Sequence, residues 1–279
     1  VSAAAPEKSS NFYLGFLFLG PRRRAALAAV YAFARHVDDI VDSGELSKEE
    51  AAEQIAFWKE EVTRLRPGQT RHPISKRLAP FVEEFDLPQE GLLGLVEGMA
   101  LDLQPRRYEN IEDLEKYLYG AAGTVGLLCI NIFGYEKTPA ADMREYAIAM
   151  GNALQLTNIM RDVGADLECG RIYLPRKEME AAGYSLEELQ NREHNAAFSR
   201  LMEALYVRAK GYYRQARSLA HPGDRRSLLP AEVMAHVYED VLETMRAGGF
   251  RVFFAKTRIS KARKLWLTIK AWLASRGIY

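Results

Sequence analysis

Apolar residues recur at spacings of three and four along almost the whole chain, and no run of four to eight β-branched residues alternates with polar ones between turn signals. That periodicity predicts an all-α protein. Pro21 is a good first-turn residue, and the pattern through Leu27, Val30, Tyr31, Ala34, Val37 and Val41 predicts a helix that Ser43-Gly44 ends. Ser47 with Glu50 three residues on forms a capping box for the next helix, which Pro67-Gly68 stops. Further helices are expected at 73–85, 89–103, 111–133, 139–168, 194–220, 230–247 and 260–275, with 169–193 as a longer loop. No internal repeat or Ser/Gly-rich linker divides the 279 residues, so residues 1–279 are expected to form one helical domain. A chain of this size buries roughly 75% of its unfolded surface.

Charge narrows the partners. Thirty-eight Lys and Arg stand against 37 Asp and Glu, a net +1 that lacks the basic excess of a nucleic-acid binder. The balance is uneven, because residues 251–279 hold eight basic residues and no acidic one. The remainder therefore carries about −7. Two cysteines, Cys129 and Cys169, lack CxxC spacing, so neither a disulfide framework nor structural zinc is expected, which suits a reducing cytoplasm. The apolar stretch from Phe12 to Leu19 is short of the ~20 residues of a membrane span. Arg22, Arg23 and Arg24 follow it rather than precede it, so no secretory signal is expected there.

The chemistry is concentrated in two acidic stripes. In Val37-Asp38-Asp39-Ile40-Val41-Asp42, Asp38 and Asp42 lie one turn apart on one helix face, with Asp39 turned aside. Their mutual repulsion, near a helix C-terminus that disfavours anions, is relieved by a bridging divalent cation. A solvated acidic face is the plainer alternative. In the helix at 139–168, Asn158, Asp162 and Asp166 recur every four residues, with Gln155 extending the stripe. Hard oxygen donors of this kind select Mg²⁺, with Mn²⁺ as an alternative, and leave coordination sites for water and substrate phosphate. Two such stripes suggest a diphosphate held between them. Tyr31 and Arg35 precede Asp38 on its helix, and Arg161 and Arg171 flank the second stripe, where guanidinium forks suit phosphate oxygens. In Tyr117-Leu118-Tyr119-Gly120-Ala121-Ala122-Gly123-Thr124-Val125-Gly126, three glycines weaken a helix. They serve either tight helix packing or room for an elongated apolar ligand beside exposed carbonyls.

With these residues in place, the sequence resembles the squalene and phytoene synthase family, the head-to-head trans-prenyl synthases of the isoprenoid synthase fold. The resemblance runs from Ser9-Ser10-Asn11-Phe12 through residues 31–42, 117–126 and 155–166 to Gly170-Arg171-Ile172-Tyr173-Leu174-Pro175. It implies an all-α bundle around a central cavity, with Mg²⁺ at Asp38, Asp42, Asn158, Asp162 and Asp166. It also implies a substrate site of Ser9, Tyr31, Arg35, Tyr117, Ala122, Val125, Gly126, Gln155, Arg161, Arg171 and Tyr238, in which Tyr31, Arg35 and Tyr238 take part in catalysis. Many members carry serines at both positions that Ser9 and Asn11 occupy, so this chain departs from that pattern at Asn11.

The implied reaction joins two prenyl diphosphates head to head through a cyclopropane. The region from Val96 to Leu103 and the segment from Arg258 to Trp266 look most like bacterial enzymes that make presqualene diphosphate from two farnesyl diphosphates for hopanoid-linked squalene synthesis. Phytoene or dehydrosqualene synthesis is the alternative within the family. A terpene cyclase would be expected to place Ser or Thr and Glu where Asp162 and Asp166 stand. A non-catalytic relative acting in assembly or binding would be marked by lost metal ligands, and none is missing. No Gly-rich dinucleotide fingerprint occurs, so NADPH is not expected. The basic C-terminal segment reads either as a helix packed on the acidic body or as a peripheral contact with anionic lipid on the inner face of the membrane.

Overall fold

The computed structural model describes residues 15–42, 46–103 and 107–277, and of Asp42 the backbone only. Ser9 and Asn11 lie outside the described residues, as does the Asp42 side chain. Among the described residues every regular element is helical. Helix α1 (Pro21–Asp42) leads to α2 (Lys48–Thr63), α3 (Pro73–Glu84) and α4 (Gln89–Ala100), which a 3₁₀ turn extends through Leu101–Leu103. Next come α5 (Ile111–Leu118), α6 (Thr124–Phe133), α7 (Ala140–Glu168), α8 (Arg176–Ala182), α9 (Leu186–Gln190), α10 (Ala196–Leu219), α11 (Leu229–Ala247) and α12 (Lys261–Ser275). The capping box expected at Ser47 and Glu50 is present.

Two expectations need correction. The segment 169–193 is not a plain loop but holds α8 and α9, whose seven and five residues are too few to carry a visible period. The helix expected over 111–133 is interrupted by a π-helical turn at Tyr119–Gly123. Such turns insert a residue into the ladder and are frequent at functional sites. The run Ile111–Phe133 is also long and apolar enough to cross a membrane by length and composition, yet 61% of its apolar window is buried within the protein.

Apolar side chains gather in two clusters. Leu27, Val30, Phe33, Val37 and Ile40 of α1, spaced at three and four, join Trp58, Leu92, Leu95 and Leu128 in one of them. Burying each such side chain stabilises the fold by about 1.5–3 kcal/mol. Leu156, Met160 and Val163 of α7 join Phe198, Leu201 and Leu242 in the other. Helix α7, about 44 Å long at 1.5 Å per residue, packs against α6, α10, α11 and the π turn. Its glycines permit close approach. A Cβ on Gly151 would lie 2.5 Å from the Ala122 carbonyl oxygen, and one on Gly164 would lie 2.4 Å from that of Phe253.

Candidate active site

Asp38, Tyr117, Gln155, Asn158, Asp162, Asp166 and Arg171 line one cavity of about 250 Å³, together with Met99, Asp102, Ala121, Ile159 and Tyr173. Asp38 of the first stripe and the oxygen donors of the second thus face the same space. Their local setting follows from helical period. Leu156, Thr157, Met160 and Val163 turn into the core behind α7, and the positions between them are left for the polar stripe. A second cavity of similar volume shares Asp102, Arg171 and Tyr173 with the first and continues along Ile40, Val41, Leu103, Tyr108 and Ile172.

The carboxylates on α7 differ sharply. Asp162 accepts a fork from Arg161, Nε to Oδ1 at 2.9 Å and Nη2 to Oδ2 at 2.6 Å, and its Oδ1 meets Lys256 Nζ at 3.0 Å. Burial alone would raise its pKa, but Arg161 first and Lys256 second hold it below the ordinary carboxylate value. One turn later, burial and then the charge of Asp162 push Asp166 up to about 7, against the pull of Arg171 and Lys256. Asn158 donates its amide to Gln155 Oε1 at 3.4 Å, while its own Oδ1 is buried without a hydrogen-bond partner among the described residues.

A phenol pair closes one wall. The hydroxyls of Tyr117 and Tyr173 lie 3.3 Å apart, and both reach the Asp102 carboxylate, at 3.1 and 3.3 Å respectively. Burial first, and the Asp102 charge second, push both phenols well above the ordinary tyrosine value. They are therefore held as hydrogen-bond donors.

The remaining expected residues lie elsewhere. Arg35 spans Asp38 at 3.1 Å and Asp39 at 2.9 Å, and Asp39, turned aside as expected, does not line the cavity. Tyr31 is half-buried against the α1 cluster and does not line the cavity. Arg161 acts on the site through Asp162, and Tyr238 of α11 stands beside Arg161. Ala122, Val125 and Gly126 do not line the cavity either. The glycines there serve packing. A Cβ on Gly126 would lie 2.4 Å from the Ala147 carbonyl oxygen, and one on Gly120 would lie 2.8 Å from the Gly98 Cα. The carbonyls expected to be exposed are covered, Ala122 by Gly151 and Gly120 by a 2.7 Å hydrogen bond from Thr124 Oγ1.

Sequence reasoning gave Asp102 and Tyr173 no role in the site, and it read Lys256 and Lys264 only as part of the basic C-terminal segment. An aspartate between Leu101 and Leu103 was a visible signal, since a charge in an apolar run needs a partner. Nothing in the sequence tied Lys256 or Lys264 to the acidic stripe, because they arrive from the end of the chain. Burial and the neighbouring Arg161 lower the pKa of Lys264.

Known proteins settle the family. The family model for squalene/phytoene synthase matches residues 5–263. The chain belongs to the squalene/phytoene synthase family. A presqualene diphosphate synthase from Zymomonas mobilis is 32% identical to this family member over 96% of the chain and 91% of that relative. A 15-cis-phytoene synthase from Synechocystis is 31% identical over 96% of the chain and 82% of that relative. A crystal structure of a dehydrosqualene synthase in complex with ligand superposes with a TM-score of 0.84 at 26% identity, over 97% of this chain and 93% of that one. The squalene synthase of Alicyclobacillus acidocaldarius gives 0.78 at 29% identity, over 88% and 91%. The fold is the all-α isoprenoid synthase fold, and the protein is a prenyl-transferring enzyme of the head-to-head condensation family.

Members of this family use a divalent metal to ionise prenyl diphosphates. Among the described residues no three His, Cys, Asp or Glu side chains form a ready-made metal cage. The donors nevertheless fit a hard cation. Asn158 offers a buried oxygen without a partner among the described residues, and Asp166 is charged only at the cost of burial and repulsion, both of which a cation relieves.

Proposed function

We propose that this enzyme joins two farnesyl diphosphates head to head to give presqualene diphosphate. The observation that carries the reading is the convergence of Asp38 on α1 with Asn158, Asp162 and Asp166 on α7 around one cavity. Those four residues and Asp42 would hold Mg²⁺. Bound there, the metal supplies the positive charge that lets a diphosphate leave.

The residues of the chain do the rest. Arg35, Arg171 and Lys256 bring cations to the cavity edge, where each diphosphate carries its charge. The C1–O bond of the first substrate breaks with its electron pair on diphosphate, and the C2–C3 double bond of the second attacks C1. Loss of one proton then closes the cyclopropane. Tyr117 and Tyr173, held neutral over Asp102, orient oxygen atoms rather than accept that proton, so released diphosphate is the better base. Met99, Ala121 and Ile159 give apolar wall to the first cavity, and the second adjoins it through Asp102, Arg171 and Tyr173, which supports room for two substrates.

A second reading, condensation of two geranylgeranyl diphosphates toward phytoene, is favoured by the similarity to the Synechocystis enzyme. Product analysis after incubation with each diphosphate and Mg²⁺ decides between them. The expected result is a cyclopropyl diphosphate from farnesyl diphosphate, accumulating without NADPH. Turnover confined to the C20 substrate would overturn it.

A further inference from the structure

The structure divides the basic C-terminal segment between two tasks. Lys256 pairs with Asp162, Arg263 with Asp240 at 2.7 Å, and Lys264 lies toward Arg161. Those three cations belong to the body of the protein. Leu267, Thr268 and Ala271 bury the inner face of α12, where Ala271 joins Leu229 and Val233 of α11. The outer face is uncovered. Leu265, Trp266 and Ile269 are 60%, 49% and 47% exposed, and Phe254, shortly before the helix, is 79% exposed.

Cations accompany these side chains. Arg258, Lys261, Lys270 and Arg276 are exposed, and none pairs with a carboxylate among the described residues. Lys270 Nζ lies 5.6 Å from the Trp266 ring centroid, and the Arg276 guanidinium lies 4.2 Å from that of Trp272. An amphipathic helix with tryptophan and flanking cations matches the interface of an anionic bilayer, where headgroups meet the charges and the rings enter below them.

We propose that the outer face of α12 docks the enzyme on an anionic lipid surface. The cations meet the headgroups, and Leu265, Trp266 and Ile269 enter the interfacial layer. A second copy of the chain is a poor occupant, because a two-fold contact would set this unpaired positive charge against itself. The choice of lipid over an acidic protein rests on the proposed reaction, whose long isoprenoid chains favour exchange beside a bilayer. The chain leading into α12 carries Lys256 to Asp162, so the segment just before the docking helix reaches a residue that lines the cavity.

Co-sedimentation of the full chain with vesicles of equal parts phosphatidylglycerol and phosphatidylcholine tests the proposal. Binding is expected at low salt, absent with phosphatidylcholine alone, and weaker at ~0.15 M salt. Two paired variants separate the contributions: Lys261→Gln with Lys270→Gln, and Trp266→Ser with Ile269→Ser. Each pair is expected to lose about tenfold in vesicle affinity, with turnover of the Gln pair unchanged because neither lysine reaches the cavity. The proposal is overturned by no binding at low salt, by wild-type binding in both variants, or by a dimer that the Trp266→Ser pair dissociates. Binding is read without substrate. A chain that binds vesicles but condenses no prenyl diphosphate overturns the proposed reaction alone, and one that condenses but does not bind overturns docking alone.

Discussion

Two buried or half-buried carboxylates at opposite ends of α7 are treated in opposite ways. Asp224, buried below the start of the helix, accepts the backbone N–H groups of Glu136, Lys137 and Thr138 and the Thr138 hydroxyl, at 2.7–3.2 Å. Burial alone would raise its pKa, but those donors outweigh burial and bring it down to about 2. Asp166, near the other end, has no donor on its carboxylate among the described residues and is pushed up to about 7. A carboxylate that holds a loop together is satisfied by the protein. On the proposed reaction, one left short of donors beside a second acid is the one that would take a cation from outside.

The largest expected effect is on turnover. Asp38→Asn, Asp162→Asn and Asp166→Asn should each lower the rate by more than about tenfold, or ~1.4 kcal/mol, whereas Asp224→Asn should leave the rate of the folded enzyme near wild type. Steady-state assays of soluble variants check this, and a retained rate in the first three would erase the distinction. Asp162→Asn should also lower stability, because Arg161 and Lys256 lose their shared counter-charge.

Ligand-induced stabilisation comes next. Mg²⁺ with inorganic diphosphate should raise the melting temperature by more than the two shifts measured separately, since each neutralises the other. At about 100 times Kd a ligand adds roughly 2.7 kcal/mol. Equal shifts with and without Mg²⁺ would break the comparison, as would the same joint shift in Asp166→Asn.

The smallest effect is a difference of sign in the metal-free protein. Asp224→Asn should destabilise by about 2 kcal/mol. The wild type should lose a similar amount as pH falls from about 4 toward 2, because a group with a lowered folded-state pKa stabilises above its unfolded value and ceases to as pH drops through the folded one. Asp166→Asn should instead raise the melting temperature by about 2 °C, corresponding to ~1 kcal/mol. Urea and thermal melts in chelator read both, and a matching sign at the two positions would leave the contrast without support.

The helices and both oxygen-bearing stripes were legible in the sequence, because a 3.6-residue period and a spacing of four are local properties of the chain. Ser47 with Glu50 and Pro21 marked helix starts in the same local way. The π turn at Tyr119–Gly123 was not legible, since its glycines read equally as tight packing or as ligand space, and only the approach of Gly98, Ala147 and Gly151 decides for packing. Nor could charge composition divide the basic tail. Eight cations without an acid marked it as unusual, but only their neighbours assign Lys256 to Asp162, Arg263 to Asp240 and Lys270 to the outer face.

By itself, then, the sequence determined an all-α chain, the residues able to ligate a hard cation and the family to which they belong, because each rests on side-chain identity at short separations. Tertiary structure alone decided that Asp38 and Asp166 share a cavity, that Asp102 bridges Tyr117 and Tyr173, and that Asp166 lacks the donors Asp224 enjoys. Those outcomes depend on burial and on partners distant in sequence, and the packing of helices sets both.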